Sequence, residues 1–175
     1  MRKILTILFI FFVLVIFFSK QIFAESTYVL PYPSFMPGTA FYKIHVIWEK
    51  LMHYWYFGSF AQYEYNLSEA DKYLIEAKTL YEYKQFLLAY YALEQSNYYF
   101  SKISGNLNSA EKENKDISQK TNIFKQAALK HIEILESLDH SIPYEFTWNA
   151  ENSIPIILNN GTLINESIAI RNKAL

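Results

Sequence analysis

The sequence predicts an all-α protein: an antiparallel bundle of about four helices, entered through a proline-rich extended segment and followed by a short C-terminal helix. Three observations carry this. The five prolines (Pro31, Pro33, Pro37, Pro143 and Pro155) leave everything from Gly38 to Ile142 free of them, and only Gly58 and Gly105 fall inside that stretch. Apolar residues within it recur at steps of three and four, the spacing that keeps them on one face of a helix. The breaks between the periodic runs are short, so successive helices are expected to pack as antiparallel neighbours.

The first element stands outside the bundle. Arg2 and Lys3 precede an apolar run from Ile4 to Phe18, and Ser19 to Ala24 follow before Glu25. A charged start, a greasy core of about 15 residues and a small residue at the end is the order of a secretory signal, cleaved here after Ala24. Counted through to Ala24, the segment is also long enough for a tilted membrane span, so residues 4–23 contact the membrane if the signal is retained. Either way the chain is expected to be exported: secreted, or anchored on the outer face of the cytoplasmic membrane.

There are no cysteines, which excludes disulfides, thiol catalysis, thiolate metal sites and a lipid-modified N-terminal Cys. Losing Arg2, Lys3 and Lys20 reduces 16 basic residues to 13 against 17 acids, a formal charge of −4. Such a chain, with no basic cluster, has no electrostatic footprint for nucleic acid or for anionic lipid.

Residues 25–38 form the extended entry. Pro31, Pro33 and Pro37 fix their own φ and push their predecessors out of the helical region. The bundle is expected over residues 39–140, with Thr39 as its first N-cap. Its first seam is Phe41, Ile44, Trp48, Leu51 and Trp55. Phe60, Tyr63, Leu67, Ala70, Leu74, Ala77 and Tyr81 form the second. Phe86, Ala89, Leu93, Ser96, Phe100, Ile103, Leu107 and Ala110 form the third, and Ile117, Thr121, Phe124, Ala128, His131, Leu135 and Leu138 the fourth. Small Ala and Ser between the large side chains let helices approach closely. Tyr83-Lys84-Gln85 leaves room only for a tight reversal. Asn114-Lys115 reads as another turn, with Asp116 or Ser118 capping the next helix. The seam nevertheless stays in register from Phe86 to Leu138, so one long helix is an alternative. Over residues 141–175 the expectation is an extended apolar tail, Ile142 to Leu158, and a short helix capped by Asn159 or Asn160.

The combination Leu30-Pro31-Tyr32-Pro33, Met36-Pro37-Gly38, Phe41-Tyr42-Lys43 and Trp48-Glu49-Lys50 resembles the entry of an uncharacterised bacterial family, the domain of unknown function 5667. Its members typically carry Leu-Pro-Tyr-Pro-Gly and then Leu-Pro-Asp-x-Pro-x-Tyr behind an export signal, followed by helical hairpins. Ser34, Gly38 and Ala40 stand where that pattern has Gly, Asp and Pro. Leu74 to Ala77 and Lys130 to Leu135 are similar to later helical segments of the family. The resemblance implies an exported helical protein and brings no chemistry with it.

Few residues suggest a reaction. His45, Glu49 and His53 fall at i, i+4 and i+8, so one helix face would present two imidazoles and a carboxylate, a set that could hold a divalent metal. A solvated polar stripe is the simpler reading of the same residues. Glu136 and His140 form an i, i+4 pair suited to a helix end. His131 lies on a seam, where a buried imidazole hydrogen-bonded to backbone or tyrosine is expected. No Gly-x-Ser-x-Gly elbow, phosphate loop or dinucleotide fingerprint is present. No cofactor and no catalytic residue is therefore assigned.

Tyrosine is more informative. With Phe60 and Phe86 set on the seam, Tyr65, Tyr91 and Tyr98 fall on the opposite face, and Tyr42, Tyr56 and Tyr83 also lie off it. Amphipathic rings outside a core mark binding surfaces, unless the apolar flanks wrap over and bury them. The expectation is a non-enzymatic exported module that binds a protein or cell-envelope component through Tyr65, Tyr91 and Tyr98. A metal-dependent extracytoplasmic sensor or enzyme using His45, Glu49 and His53 is the alternative.

Overall fold

The computed structural model describes residues 28–32, 47–48, 51, 55–149, 151 and 154–175. The signal segment, Thr39 and most of the first predicted helix lie outside these residues. What is described is mostly helical, with one small two-stranded sheet. Helix α1 spans Ser59–Glu82, α2 Phe86–Lys112 and α3 Ser118–Asp139. Strands β1 (Phe146–Trp148) and β2 (Ile156–Leu158) then pair antiparallel, and α4 (Asn160–Asn172) completes the chain. Among the described residues no helix is long and apolar enough to cross a membrane.

Helices α1 and α2 stop on the same device. At the end of α1 the Lys84 and Gln85 N–H groups donate to Tyr81 and Leu80 carbonyls, both at 2.9 Å, with Lys84 at φ +58°. At the end of α2 the Asn114 and Lys115 N–H groups donate to Glu111 and Ala110 carbonyls, with Asn114 at φ +59°. These paired bonds satisfy the last carbonyls of a helix and turn the chain back on itself. They also settle the Phe86–Leu138 question: the region is two helices. The second one has Ile117 as its N-cap, with no side-chain cap, in place of the expected Asp116 or Ser118; Asp116 Oδ1 accepts the Ser118 N–H at 2.9 Å in the turn leading into it.

The second, third and fourth seams are the core. Tyr63, Ala70, Leu74 and Ala77 of α1 are buried, as are Ala89, Leu93, Phe100 and Ile103 of α2 and Phe124, Ala128 and Leu135 of α3. Small residues bring α1 and α2 close enough for the Ser96 hydroxyl to donate to the Ala70 carbonyl across the helix pair, at 2.8 Å.

The first predicted seam behaves differently. Of its residues, Trp48, Leu51 and Trp55 are described, and they are 61%, 55% and 75% exposed. The fourth helix packed into the core is instead the C-terminal one, with Leu163, Ile164, Ser167 and Arg171 buried. Two of those four core positions are polar, so apolar periodicity alone does not show how deeply α4 is buried.

The apolar tail is also not structureless. It forms the β1–β2 hairpin, whose Phe146 ring packs on Phe86 at 4.5 Å between centroids, and which delivers the chain to α4. Asn159 and Asn160 lie at the start of α4 as expected, but neither side chain caps it. The Asn160 amide instead donates to the Pro143 carbonyl and accepts from the Tyr81 hydroxyl, tying hairpin, α1 and α4 together. Beside it the Gly161 N–H donates to the Tyr144 carbonyl at 3.0 Å, and a Cβ at position 161 would fall 2.0 Å from the Tyr144 ring. Gly161→Ala should therefore cost about 1–3 kcal/mol, the range for overpacking a closed contact, measured as a lowered urea midpoint with helicity retained.

Candidate functional site

The apolar core is divided into two layers. One gathers Leu74, Ala77, Leu80, Leu93, Leu135, Leu138 and Ile164. The other gathers Tyr63, Leu67, Phe100, Ile103, Phe124 and Ala128. Between the layers every helix also buries polar residues: Asp71 in α1, Ser96 and Asn97 in α2, His131 in α3, Ser167 and Arg171 in α4. All are buried, and His131, Ser96, Ser167 and Arg171 completely so.

Arg171 is the hub. Its Nε–H points at His131 Nδ1 at 3.4 Å, and its Nη2 donates to the Ser96 hydroxyl at 2.7 Å. Its Nη1 donates to Asn97 Oδ1 and to the Ser167 carbonyl. The guanidinium also lies over the Phe100 ring, 4.8 Å from its centroid. On the far side of the imidazole, His131 Nε2 meets Asp71 Oδ1 at 2.7 Å, while Asp71 Oδ2 accepts the Tyr28 hydroxyl at 2.5 Å. Asn97 Nδ2 donates to Ser167 Oγ, and that hydroxyl in turn donates a hydrogen bond to the Leu163 carbonyl. The two buried polar side-chain atoms without a partner among the described residues, Asn66 Oδ1 and Thr121 Oγ1, both lie outside this layer.

The donors set the protonation states. Arg171 has only N–H groups, so His131 Nδ1 is the acceptor and Nε2 carries the proton given to Asp71. Burial pulls the imidazole below its ordinary pKa and the nearby Arg171 charge adds to that, against the opposing pull of Asp71, so the ring is neutral at pH 7. Burial also lowers the Arg171 guanidinium, to about 9, with Asp71 opposing, and it remains a cation at neutral pH. Tyr28 is held far up its scale by burial and then by Asp71, so it stays a hydroxyl donor. The layer thus places a carboxylate and a guanidinium on opposite edges of one neutral imidazole.

An Asp–His pair of this kind orients a general base when the distal nitrogen faces a nucleophile. Here it faces a guanidinium, and both ring nitrogens are committed in a closed interior. The arrangement holds four helices and the entry segment in one register, and leaves no lone pair on the imidazole to take a proton from a substrate. His131 was expected to bond backbone or tyrosine, whereas its partners are Asp71 and Arg171. Neither of those was singled out from the sequence, although Ser96 midway along the third seam and His131 along the fourth were usable signals.

The tyrosines separate into two groups. Tyr65 is not on the surface: it is 6% exposed, with the Tyr56 and Tyr99 rings 5.2 and 5.8 Å away. Tyr99 in turn stacks on Tyr73 at 5.7 Å with the rings 4° from parallel. The reason is that α1 is enclosed on two faces, so the side opposite its seam is also interior. Tyr91 and Tyr98 of α2 are 50% and 53% exposed. Lys102 fixes the Tyr98 ring, with Nζ 3.8 Å from its centroid and 2.6 Å from its hydroxyl. Tyr83 is exposed at the α1–α2 turn, and Tyr56 is half-buried with its carbonyl accepting from Gln62.

The candidate metal ligands His45, Glu49 and His53, and Tyr42, lie outside the described residues. Among the described ones no group of three or more His, Asp or Glu side chains could hold a metal ion. No family model, curated protein or solved structure matches this chain.

Proposed function

We propose that this chain is an exported, non-enzymatic helical module that holds a protein or other cell-envelope partner on the outer face of α2, with Tyr91 and Tyr98 as its anchors. The observation that carries this reading is the pair itself. The two rings sit two helical turns apart, roughly 10 Å along one helix face, each about half-exposed on a helix whose opposite face is closed into the core. Rigid amphipathic rings of this kind supply contact area at low entropic cost and keep a hydroxyl for a partner. Lys102 pre-positions one of them. Leu88, 40% exposed one turn before Tyr91, extends the surface. The export signal read at residues 1–24 supplies the compartment, and the committed nitrogens of His131 support a role without chemistry in the core.

The test is site-specific photo-crosslinking in intact cells. A photoreactive phenylalanine at position 91 or 98 should give the same envelope adduct, and one at exposed Lys125 on α3 should give none. Tyr91→Ser combined with Tyr98→Ser should abolish the adduct formed from position 88 while leaving helicity unchanged. Adducts no stronger than those from position 125 would refute the reading.

A further inference from the structure

The outer face of α2 is complementary to itself. Tyr91, Tyr98 and Gly105 follow one another at seven-residue steps, which return to nearly the same side of a helix roughly 10 Å further along. Glu94 and Lys102 stand four residues to either side of Tyr98, and they are the only charged residues between Leu88 and Ser109. A second α2 turned end for end about Tyr98 therefore brings Tyr98 to its own copy, Tyr91 to Gly105 and Glu94 to Lys102, the last two pairings each made twice. We infer that the partner held by this face is a second copy of the chain, paired through α2 in antiparallel register about a two-fold axis at Tyr98. This names the partner of the surface described above, and it rests on the reading of that surface as a binding face.

Symmetry, space and charge each favour a copy over an unrelated protein. In a two-fold interface every feature must meet its complement at an equal distance from the axis. Here a ring meets a glycine and a carboxylate meets an ammonium. Gly105 supplies the space. It is exposed in the middle of a long helix, and a Cβ there would meet nothing within 4 Å. Nothing inside the chain asks for glycine at this position, where it weakens the helix relative to alanine. Its bare backbone is a floor on which the Tyr91 ring of a neighbour can lie. Charge selects the orientation. Partial burial and the nearby Glu166 carboxylate of α4 hold Glu94 above its ordinary pKa. Among the described residues no cation pairs with either acid. Lys102 of the second copy supplies that cation, and its ammonium already lies at the centre of the face, 3.8 Å from the Tyr98 centroid. A parallel pairing in register would instead set Glu94 against Glu94.

The chain has no cysteine, so introduced thiols report the register directly. Full-length Tyr91→Cys and Gly105→Cys chains, co-expressed and then oxidised, should give a disulfide-linked dimer containing one of each. Either chain alone should give little, because its two thiols stand about 20 Å apart along the paired helices. Tyr91→Cys co-expressed with Lys125→Cys, an exposed position on α3, sets the background. Adding Glu94→Lys to both partners should cut the mixed dimer by about tenfold or more, since like charges then face each other. Adding Lys102→Glu as well should restore it. Mixed dimer at the background level would overturn the inference, as would a cut that the reversed charge pair fails to repair. The photo-adduct formed from position 98 in intact cells separates this inference from the reading it rests on. An adduct of twice the chain's mass supports both. An adduct with a different protein overturns the copy and keeps the face as a binding surface, and no adduct overturns both.

Discussion

Arg171→Met should destabilise the folded chain by about 3–5 kcal/mol, the range for removing one member of a buried charge pair. Four acceptors, His131 Nδ1, Asn97 Oδ1, the Ser167 carbonyl and Ser96 Oγ, would then face a thioether in a closed interior. The Asp71 carboxylate would lose the only cation of the layer. Urea denaturation at pH 7 measures the loss as a lowered midpoint with an unchanged slope. Arg171→Lys should recover little of it, because a single ammonium cannot reach partners held at separate edges of a planar guanidinium. Replacing Asp71, His131 and Arg171 together with Leu, Leu and Met should cost less than Arg171→Met alone. That combination removes the stranded charge along with its partners, the asymmetry that distinguishes breaking a polar network from deleting it.

Acid should weaken the fold in a window set by His131. In the unfolded chain its imidazole takes a proton near pH 6.5. In the folded chain, burial and the Arg171 guanidinium push that event to lower pH. The unfolded state therefore binds more protons as the pH falls through 6.5. The stability present above that value is lost on acidification, by up to about 1.4 kcal/mol per pH unit until the folded imidazole also titrates. Denaturation midpoints measured from pH 7.5 down to 5 should show this slope. His131→Gln, which keeps a side chain able to donate and accept, should flatten it while starting from a lower stability.

Much of the bundle was legible from the sequence because three of its seams obey simple periodicity. Tyr63 to Tyr81, Ala89 to Ala110 and Phe124 to Leu138 are apolar where they meet neighbours, and they are buried. Two places break the assumption behind that reading, that apolar means inside. Trp48, Leu51 and Trp55 are periodic, large and exposed, whereas α4 is buried through Ser167 and Arg171. The polar layer was invisible for a related reason. Asp71 and Arg171 are a hundred positions apart in the chain, and only the packing of α1, α3 and α4 brings them to opposite edges of one imidazole. Tyr65 was misplaced because heptad geometry knows one partner for α1, and the helix has neighbours on two faces.

The role of the polar layer explains why the module can leave Tyr91 and Tyr98 outside without losing its register. Two apolar layers could slide past one another along the helix axes, since Leu, Ala and Phe contacts are not directional. A layer in which each helix contributes a donor or acceptor to the same cluster has one satisfied arrangement. Tyr28 brings the entry segment into that arrangement, with Leu30 packed on the apolar layer beside it.

The most direct test of this account is the nitrogen NMR spectrum of His131 in the folded chain between pH 8 and 5. The expected spectrum is that of a single neutral tautomer protonated at Nε2, with Nδ1 in the range of an acceptor, unchanged until the chain unfolds. Titration near pH 6.5 in the folded state, or a proton on Nδ1, would contradict the keystone geometry of Asp71, His131 and Arg171.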